Sequence, residues 1–388
     1  MIWLLCVLAS LVGPALLERH VDAAAEYRRS VSLMEALLPD YGDRGEAGGL
    51  ARWNPNSEPI TERRVEVARV QLRRAGPAIN TFVLASACSR VEWGMMQADD
   101  IGLGSLVPIE MFFVSNMVAS RAVVQARDGD SAGATDDLLA VLRAADHTAA
   151  APGIDNKSTA ALLDLAAGGA AAKLLVHLDP PDLLRLDAAL QASPTSPADL
   201  AAALRDEWAV RELKIADLDV EYTREETDAA LDAMYMGMVE YTEQQRADFA
   251  DRNWRLRMLD AMRAAVEADA ARLSAGELDI AQWPDDRHRD RLGYWYWNDL
   301  NPDPRLMLKT RRSASLQRAA LRGAIAVLLA GDSSAAAGVL DPATRQPLCV
   351  TDEDQPFVET SGTVEVIEDG ETVQSPLRVP LFDPVVAE

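Results

Sequence analysis

The N-terminal segment Ile2–Leu17 contains no charged side chain, whereas the sequence after Glu18 is acidic and largely helical in pattern. The run is short for a membrane-spanning helix, which needs roughly 20 residues. It is also slightly long for the core of a signal peptide, which has roughly 7–15 residues. The sequence therefore predicts a hydrophobic anchor or signal segment at 1–20 and a body that folds in water.

Two interpretations of this segment remain open. In one, an uncleaved anchor extends through Glu18–Val21 at the membrane interface. In the other, a signal peptide is cleaved near Ala23–Ala25. Two further alternatives are a start codon upstream, which would supply a basic n-region, and a buried N-terminal helix of a cytosolic protein. The uncharged run argues against the buried helix, and we expect the anchor.

The side of the membrane on which the body lies is only weakly determined by the flanking charges. Arg19, Arg28 and Arg29 come after the run and would favour a cytoplasmic body by the positive-inside rule. Acidic residues, Glu18 and Asp22 among them, are interleaved with these arginines, and signal anchors usually export the rest of the chain. We therefore predict a membrane-anchored protein whose body is exported, in a periplasmic or other extracytoplasmic location.

The charge balance of the chain limits its partners. The formal net charge is −23 over 388 residues, so nucleic acid and anionic lipid surfaces would repel the body. Hydrophobic residues make up 49% of the chain, which is ample for a core. We expect a protein partner at the envelope, membrane contact through residues 2–17, and no nucleic acid partner.

The chain has three cysteines. Cys6 lies inside the apolar run. In an exported body, Cys88 and Cys349 would be able to form a disulfide, because two cysteines allow a single pairing. The alternative is two buried and unpaired thiols. No C-x-x-C motif occurs, so the sequence predicts neither a zinc ribbon nor a thioredoxin-type motif.

Apolar residues recur at helical spacing through most of the chain. Val65, Ala68, Leu72 and Ala75, for example, share one helix face. The predicted helices cover 22–38, 60–75, 109–127, 157–178, 198–220, 224–274 with a break near 251, and 313–329, with further helices after Asp130 and after Asp179. Residues 78–90 fit either a helix or a strand.

Turn and capping residues mark several helix boundaries. The Asp128–Asp130 segment predicts a tight turn between two antiparallel helices, with Asp130 as the N-cap of the second. Thr223 and Glu226 have the spacing of a capping box. Gly276 is typical of a residue that ends a helix.

The C-terminal region changes character. Residues 363–373 alternate apolar and polar side chains around Asp369-Gly370, which predicts a β-hairpin. The predicted fold class is all-α, a multi-helix array of antiparallel helix pairs with an N-terminal hydrophobic helix and a small C-terminal hairpin or extended appendage. The helical body spans 21–338, with a possible sub-boundary near 191–198, and the appendage spans 339–388.

Two parts of the sequence carry a family-like pattern. One is a Gly-Asp turn followed by a helix that ends in Leu-Arg-Ala-Ala-Asp-His at His147. The other is Asp341–Val350, an Asp-Pro-x-x-x-x-Pro-Leu segment, followed by Phe357–Gly362. Together they resemble an uncharacterised bacterial family of membrane-anchored, Ala/Leu-rich helical proteins. The resemblance covers 110–210 and 313–362. It implies an anchor and a helical body, and it implies no reaction.

The C-terminal segment is also similar to that of type II secretion pseudopilins. The N-terminal cleavage motif of pseudopilins is absent from this chain. The similarity implies an accessory role beside a secretion apparatus as one alternative.

An aromatic and basic patch lies between positions 283 and 297. Its candidate binding residues are Trp283, Arg287, Arg291, Tyr294, Trp295 and Trp297. Aromatic side chains together with arginine are typical of protein-binding surfaces and sugar-stacking platforms. The favoured alternative is that these rings pack against the helix at 224–274 and hold an irregular segment in place. A partner site, where the chain has one, is predicted at this patch.

Histidines and acidic pairs give no catalytic pattern. His147 and His177 end apolar stripes on successive helices, where histidine can bind the last carbonyls, so a metal pair is the less favoured interpretation. Acidic pairs such as Asp206-Glu207 are typical of a solvated face. No Gly-x-Ser-x-Gly, His-Glu-x-x-His or P-loop motif occurs. We therefore predict no catalytic residue, no metal ligand and no cofactor.

The sequence favours a membrane-associated helical scaffold or protein-interaction module of the cell envelope, with no catalytic activity assigned. One alternative is a hydrolase-type enzyme that uses a carboxylate pair in a helical groove. Another is an accessory of a type II secretion-like apparatus. An acid pair lining a pocket beside Trp295 would support the enzyme, and an apolar groove without perturbed acids would support the binding module.

Overall fold

The computed structural model of the chain describes residues 22–38, 60–94, 107, 110–192, 197–216, 223–228, 242–276, 304–368, 371–382 and 385–386. Helices dominate, and a small antiparallel sheet lies near the C-terminus. The predicted all-α class with a small β appendage is confirmed. The domain bounds stay a prediction.

The described helices precede most of the described strands along the chain. The helices are α1 (Ala23–Leu37), α2 (Glu62–Arg74), α3 (Gly76–Ser86), α4 (Glu110–Arg127), α5 (Ser131–Ala149), α6 (Ile154–Leu174), α7 (Pro180–Gln191), α8 (Pro197–Ala216), α9 (Glu243–Ala250), α10 (Arg252–Ser274) and α11 (Pro304–Ala330). The strands are β1 (Ile60–Thr61), β2 (Cys349–Val350), β3 (Phe357–Glu368), β4 (Glu371–Pro380) and β5 (Val385–Val386).

Most predicted helices are confirmed, and the ambiguous stretch at 78–90 is resolved. Residues 78–86 belong to the helix α3, which has Pro77 in its first turn, where the missing amide hydrogen costs nothing, and residues 87–90 lie after its end. The prediction of 313–329 for the last helix was too short, since α11 begins at Pro304. Met307 and Leu308 are buried, but the arginines and lysine around them mask the periodicity of this first part.

The predicted capping residues are confirmed by hydrogen bonds. A carboxylate oxygen of Asp130 accepts from the backbone N–H of Gly133 at 2.9 Å. In the capping box, the N–H of Glu226 donates to the Thr223 hydroxyl at 3.2 Å, and the N–H of Thr223 donates to the Glu226 carboxylate at 2.8 Å. Gly276 ends α10 with a φ of 79°, a conformation that favours glycine.

The predicted break near 251 separates α9 from α10. Asp251 caps α10 by accepting from the N–H of Asn253 at 2.9 Å. On the other side of the break, the buried Arg255 donates to the carbonyl oxygens of Phe249 and Ala250, the latter at 3.0 Å. One helix therefore ends and the next begins because side chains satisfy the backbone groups at both ends.

The C-terminal sheet has the strand order β2-β3-β4 and is antiparallel throughout. Strands β3 and β4 form the predicted hairpin, although the turn residues 369–370 lie outside the described residues. A Cβ added at Gly323 of α11 would lie 2.9 Å from Leu348 and 3.0 Å from Val358, so the sheet packs closely on that helix. The short strand β1 pairs in parallel with β5.

Two hydrophobic clusters organise the described residues. The first is built from α1 to α7, the C-terminal half of α11 and the inner face of the sheet. The second is built from α8, α9, α10 and the first turns of α6 and α11, and it contains Trp208, Trp254, Met258 and Met262. Helices α6 and α11 therefore pass from one cluster into the other.

Within the second cluster, Glu207 of α8 contacts the start of α6. Its carboxylate accepts from the backbone N–H groups of Ile154 at 2.6 Å and Asp155 at 3.3 Å. These are the first amides of α6, and the N-cap residue Gly153 has no side chain that could accept from them. The carboxylate thus caps α6 from a different helix.

The apolar run at 2–17 lies outside the described residues, so the anchor and signal interpretations stay predictions. Within the described part of the chain, one stretch, Ile154–His177, is long and apolar enough to cross a membrane by length and composition. In the most apolar part of this stretch, 83% is buried inside the protein and does not face outward. Helix α6 therefore packs as a core helix of the body.

Candidate binding cleft

The predicted aromatic and basic patch lies outside the described residues. This holds for every candidate binding residue that the sequence suggests, namely Trp283, Arg287, Arg291, Tyr294, Trp295 and Trp297. The patch therefore stays a prediction, and the cavities of the described residues lie in a different part of the molecule.

Cys88 and Cys349 are both free thiols in the structure. Cys88 is half-buried just after α3, and its thiol donates to the Leu84 carbonyl at 3.5 Å. Burial, together with Glu26 and Asp22, raises the pKa of Cys88, which makes it less reactive. Cys349 is exposed on β2, which differs from the expectation of a buried thiol. The disulfide stays a prediction for an oxidising compartment.

His147 belongs to an aromatic cluster. Its Nδ1 lies 3.1 Å from the hydroxyl oxygen of Tyr27, and its carbonyl accepts from Nε1 of Trp93 at 2.7 Å. Tyr27 stacks on Trp93 with 5.8 Å between ring centroids. Burial and the neighbouring Arg143 lower the pKa of His147. Among the described residues, no three His, Cys, Asp or Glu side chains converge as a metal-ligand set.

A cavity of about 380 Å³ opens where α6 and α11 pass between the two clusters. This volume lies within the range of roughly 300–1,000 Å³ that is typical of ligand pockets. Its walls are α6, the end of α7, the start of α8, α11 and the segment 338–342. We call it the basic cleft, and its described charged residues are Lys157, Asp164, Arg311, Arg318 and Arg322.

One face of α11 forms the basic wall of the cleft. Arg311, Ser315, Arg318 and Arg322 follow one another at spacings of four, three and four residues, which places them on one helix face. Burial lowers the pKa of Arg311, because a guanidinium that is partly removed from water loses solvation of its charge.

Arg318 is held in the middle of this wall. Its Nε and Nη2 donate to the two carboxylate oxygens of Asp164 at 3.0 and 2.5 Å, and its Nη1 donates to the carbonyl of Ala192. Burial raises the pKa of Asp164, although Arg318 opposes this shift. The pair therefore joins α6 to α11 and contributes no net charge to the cleft.

The two remaining cations occupy different positions in the cleft. Nε of Arg322 donates to Asp187 of α7 at 3.0 Å. Lys157 lies on α6, where its ammonium donates to the carbonyls of Ala149 and Ala151 at the end of α5. Burial lowers the pKa of Lys157, although Asp199 and Asp206 act in the opposite direction.

A second cavity of about 420 Å³ lies on the other side of Lys157. Its described charged residues, apart from the lysine, are Asp146, Asp199 and Asp206. Burial raises the pKa of Asp146, and Asp164 acts in the same direction. Lys157 therefore separates a cavity with a basic lining from one with an acidic lining.

The basic cleft can bind an anionic group and has no described nucleophile paired with a base. Four cations and one acid are found among its described lining residues, in a chain whose net charge is −23. Sequence reasoning missed it, because the spacing of Arg311, Arg318 and Arg322 is also that of an ordinary solvated helix face. Comparison with protein families, curated proteins and solved structures finds no significant match to the chain.

Proposed function

We propose that the chain is a membrane-associated helical scaffold of the cell envelope that binds a protein partner through the basic cleft. The observation that carries this proposal is the excess of cations on the lining of a cavity in a strongly acidic chain. Charges in a partly desolvated cleft attract an anion more strongly than exposed charges do. An acidic side chain of a partner therefore gains more there than on the rest of the surface.

A photo-cross-linker in the cleft tests this proposal. We would place benzoylphenylalanine at Ser315, which lines the cleft, and in a second variant at Leu184, which is 58% exposed on α7. Both variants of the full chain are irradiated in native envelope membranes. We expect one defined protein adduct from position 315, none of that mass from position 184, and loss of the adduct when Arg311→Glu is added.

The result that contradicts the proposal is an adduct that forms equally at both positions or that ignores the charge reversal. The partner's identity also separates the alternatives. A pilin-like protein would favour the secretion-apparatus accessory, which otherwise rests on the resemblance of the C-terminal segment alone.

The membrane part of the proposal rests on the uncharged run at 2–17. The intact mass of the native protein from the envelope fraction tests it. A mass that matches the full chain supports a permanent anchor, and a mass short by about two dozen residues indicates a cleaved signal peptide. A soluble protein recovered only from the cytosol would contradict envelope association.

One observation favours the hydrolase alternative. Burial raises the pKa values of Asp146 and Asp164, and a carboxyl group with a raised pKa can act as a general acid. Asp164 is held by two nitrogens of Arg318, which leaves Asp146 as the acid that is available. Turnover of an ester, amide or glycoside substrate that disappears in Asp146→Asn would establish this alternative.

A further inference from the structure

The start of α1 is fastened to the body through Asp22. The Asp22 carboxylate accepts from the backbone N–H groups of Ala24 at 3.2 Å and Glu92 at 2.8 Å. The N–H of Ala23 donates to the carbonyl of Arg90 at 3.0 Å, and Ala23 and Ala24 are fully buried. The folded body therefore uses the chain from Asp22 onward, and a cleavage within the three alanines that follow would remove this cap.

Helix α3 ends beside the start of α1. Tyr27 contacts Phe82 with 5.1 Å between ring centroids, and the hydroxyl of Ser30 donates to the carbonyl of Ala78 at 2.8 Å. The two helices are therefore antiparallel, and the last turn of α3 lies at the same end of the body as the start of α1. In this last turn, Leu84 is 69% exposed, the largest exposed fraction among the large apolar side chains of the described residues. An exposed leucine gains free energy when another apolar surface covers it.

We call residues 22–29 and 84–93 the tether face. It contains three acidic residues and three arginines, so its formal net charge is zero in a chain whose net charge is −23. Two ion pairs lie on it, Arg29 with Glu26 at 3.5 Å and Arg90 with Glu92 at 2.6 Å. Zwitterionic phospholipid headgroups also carry charges of both signs without a net charge. The tether face can therefore approach them without the electrostatic repulsion that the acidic chain as a whole meets at an anionic surface.

The apolar run 2–17 ends close to the tether face in the sequence. Leu17 and Asp22 are five positions apart, so the chain between them can span no more than about 18 Å. The headgroup layer of a bilayer takes up about 6 Å of this reach. An anchor formed by the run, as the proposed function states, therefore keeps Asp22 within about 12 Å of the lipid surface.

We infer that the tether face rests on a zwitterionic lipid surface, with Leu84 inserted among the lipids. This inference rests on the proposed function, since it needs the run 2–17 to be a membrane anchor. It adds an orientation of the body, because Asp22 fastens this face to the end of a short tether and Leu84 is the apolar side chain that the membrane then covers.

Photo-cross-linking at two leucines of similar exposure tests the inference. Benzoylphenylalanine replaces Leu84 in one variant of the full chain and Leu184, which is 58% exposed on α7, in the other. Leu184 is a matched control, because α7 begins beside the start of α5, where the hydroxyl of Ser131 donates to Asp182 at 2.7 Å. The tether face lies at the other end of α5, where His147 contacts Tyr27. About 24 Å of helix separates Ser131 from His147.

Each variant is irradiated in phosphatidylcholine nanodiscs, and intact mass measures the fraction of protein that carries one lipid. We expect at least about tenfold more lipid adduct from position 84 than from position 184, a ratio that corresponds to burial of one leucine side chain in an apolar layer. Ser89, an exposed residue of the tether face, is the second labelled position in case the substitution of Leu84 alters the fold. It should also give more lipid adduct than position 184, and circular dichroism checks all variants.

The outcomes that would overturn the inference are distinguishable. Lipid adducts that are equal at the three positions, or absent from all of them, in protein that stays with the nanodiscs would reject the orientation but keep the anchor. An adduct of twice the protein's mass from position 84 would assign the face to a second copy of the chain. A native mass that begins after Asp22 would reject the tether. Protein that does not stay with the nanodiscs would reject the membrane part of the proposed function as well.

Discussion

The first hydrophobic cluster contains two buried ion pairs that join helices, whereas in the second cluster two buried charged side chains cap helix ends. In the first cluster, Arg121 of α4 pairs with Asp137 of α5. Nε and Nη2 of Arg121 each donate to a carboxylate oxygen of Asp137 at 2.7 Å. Asp164 and Arg318 join α6 to α11 in the same way. Each pair places one charge on each of two helices.

In the second cluster, two buried charged side chains contact backbone groups at helix ends. Arg255 donates to the last carbonyls of α9, and Glu207 accepts from the first amides of α6. A cap of this kind uses the partial charges at helix termini and needs no second ionised side chain.

The difference teaches how each region is specified. An ion pair specifies which two helices lie side by side, since each charge is costly to bury without the other. A cap specifies where a helix begins or ends, since it satisfies backbone groups that the helix leaves without partners. The stability that is lost when one charge of an ion pair is removed can therefore be restored by removing the other charge as well. Stability lost by removing a cap cannot be restored in this way, because the backbone groups remain.

The largest effect is expected from breaking the pair between α6 and α11. Arg318→Leu leaves Asp164 as a buried charge without its guanidinium and should lower the free energy of unfolding by about 3–5 kcal/mol. Adding Asp164→Leu should restore most of the lost free energy of unfolding. Denaturant unfolding of the full chain measures this free energy in the single and in the double variant. A double variant as unstable as the single one would contradict the ion-pair interpretation.

A smaller effect is expected from removing a cap in the second cluster. Arg255→Met leaves the carbonyls of Phe249 and Ala250 without their buried donor and should lower the free energy of unfolding by about 2–3 kcal/mol. The control is Arg257→Met, two residues away on the exposed face, which should change it by less than about 0.5 kcal/mol. Equal effects of the two substitutions in denaturant unfolding would show that Arg255 does not act as a cap.

An effect of the opposite sign is expected at Lys173 on α6. Burial, and secondarily the charge of Arg64, lowers the pKa of this lysine to about 7. Lys173→Met should therefore raise the free energy of unfolding at pH 6, where the wild-type protein carries a buried ammonium. The substitution tests whether a buried ammonium that is repelled by the charge of Arg64 lowers the stability of the first cluster.

The pH dependence at Lys173 has a defined sign. A lysine whose pKa is lower in the folded state binds fewer protons there than in the unfolded state between about pH 7 and pH 10.4. The free energy of unfolding of the wild type should rise with pH across that window. In Lys173→Met this contribution disappears, so unfolding curves at pH 6, 8 and 10 measure it. Parallel pH profiles for both proteins would place the titration elsewhere.

Local features of the fold could be predicted because each depends on residues close together in the sequence. Asp130 caps the residue three positions later, and Thr223 and Glu226 complete each other's hydrogen bonds within one turn. The extra length of α11 was missed because its first turns combine buried Met307 with many basic residues.

The basic cleft could not be predicted in this way. Arg311, Arg318 and Arg322 have the spacing of a surface stripe, and the sequence does not say that α6 and α7 bring Asp164 and Asp187 to them. The same limit applies to Glu207, which the sequence pattern places in an ordinary acidic pair, although it caps a helix that begins about fifty residues earlier in the chain.

The sequence by itself determined the helical class, most helix boundaries and the C-terminal hairpin, because apolar periodicity and caps act over one or two turns. The tertiary structure alone decided which charges are buried together, where α6 and α11 cross between the clusters, and that their crossing leaves a basic cavity in an acidic chain. These features depend on contacts between residues far apart in the sequence, and burial then changes the energy of every charge involved.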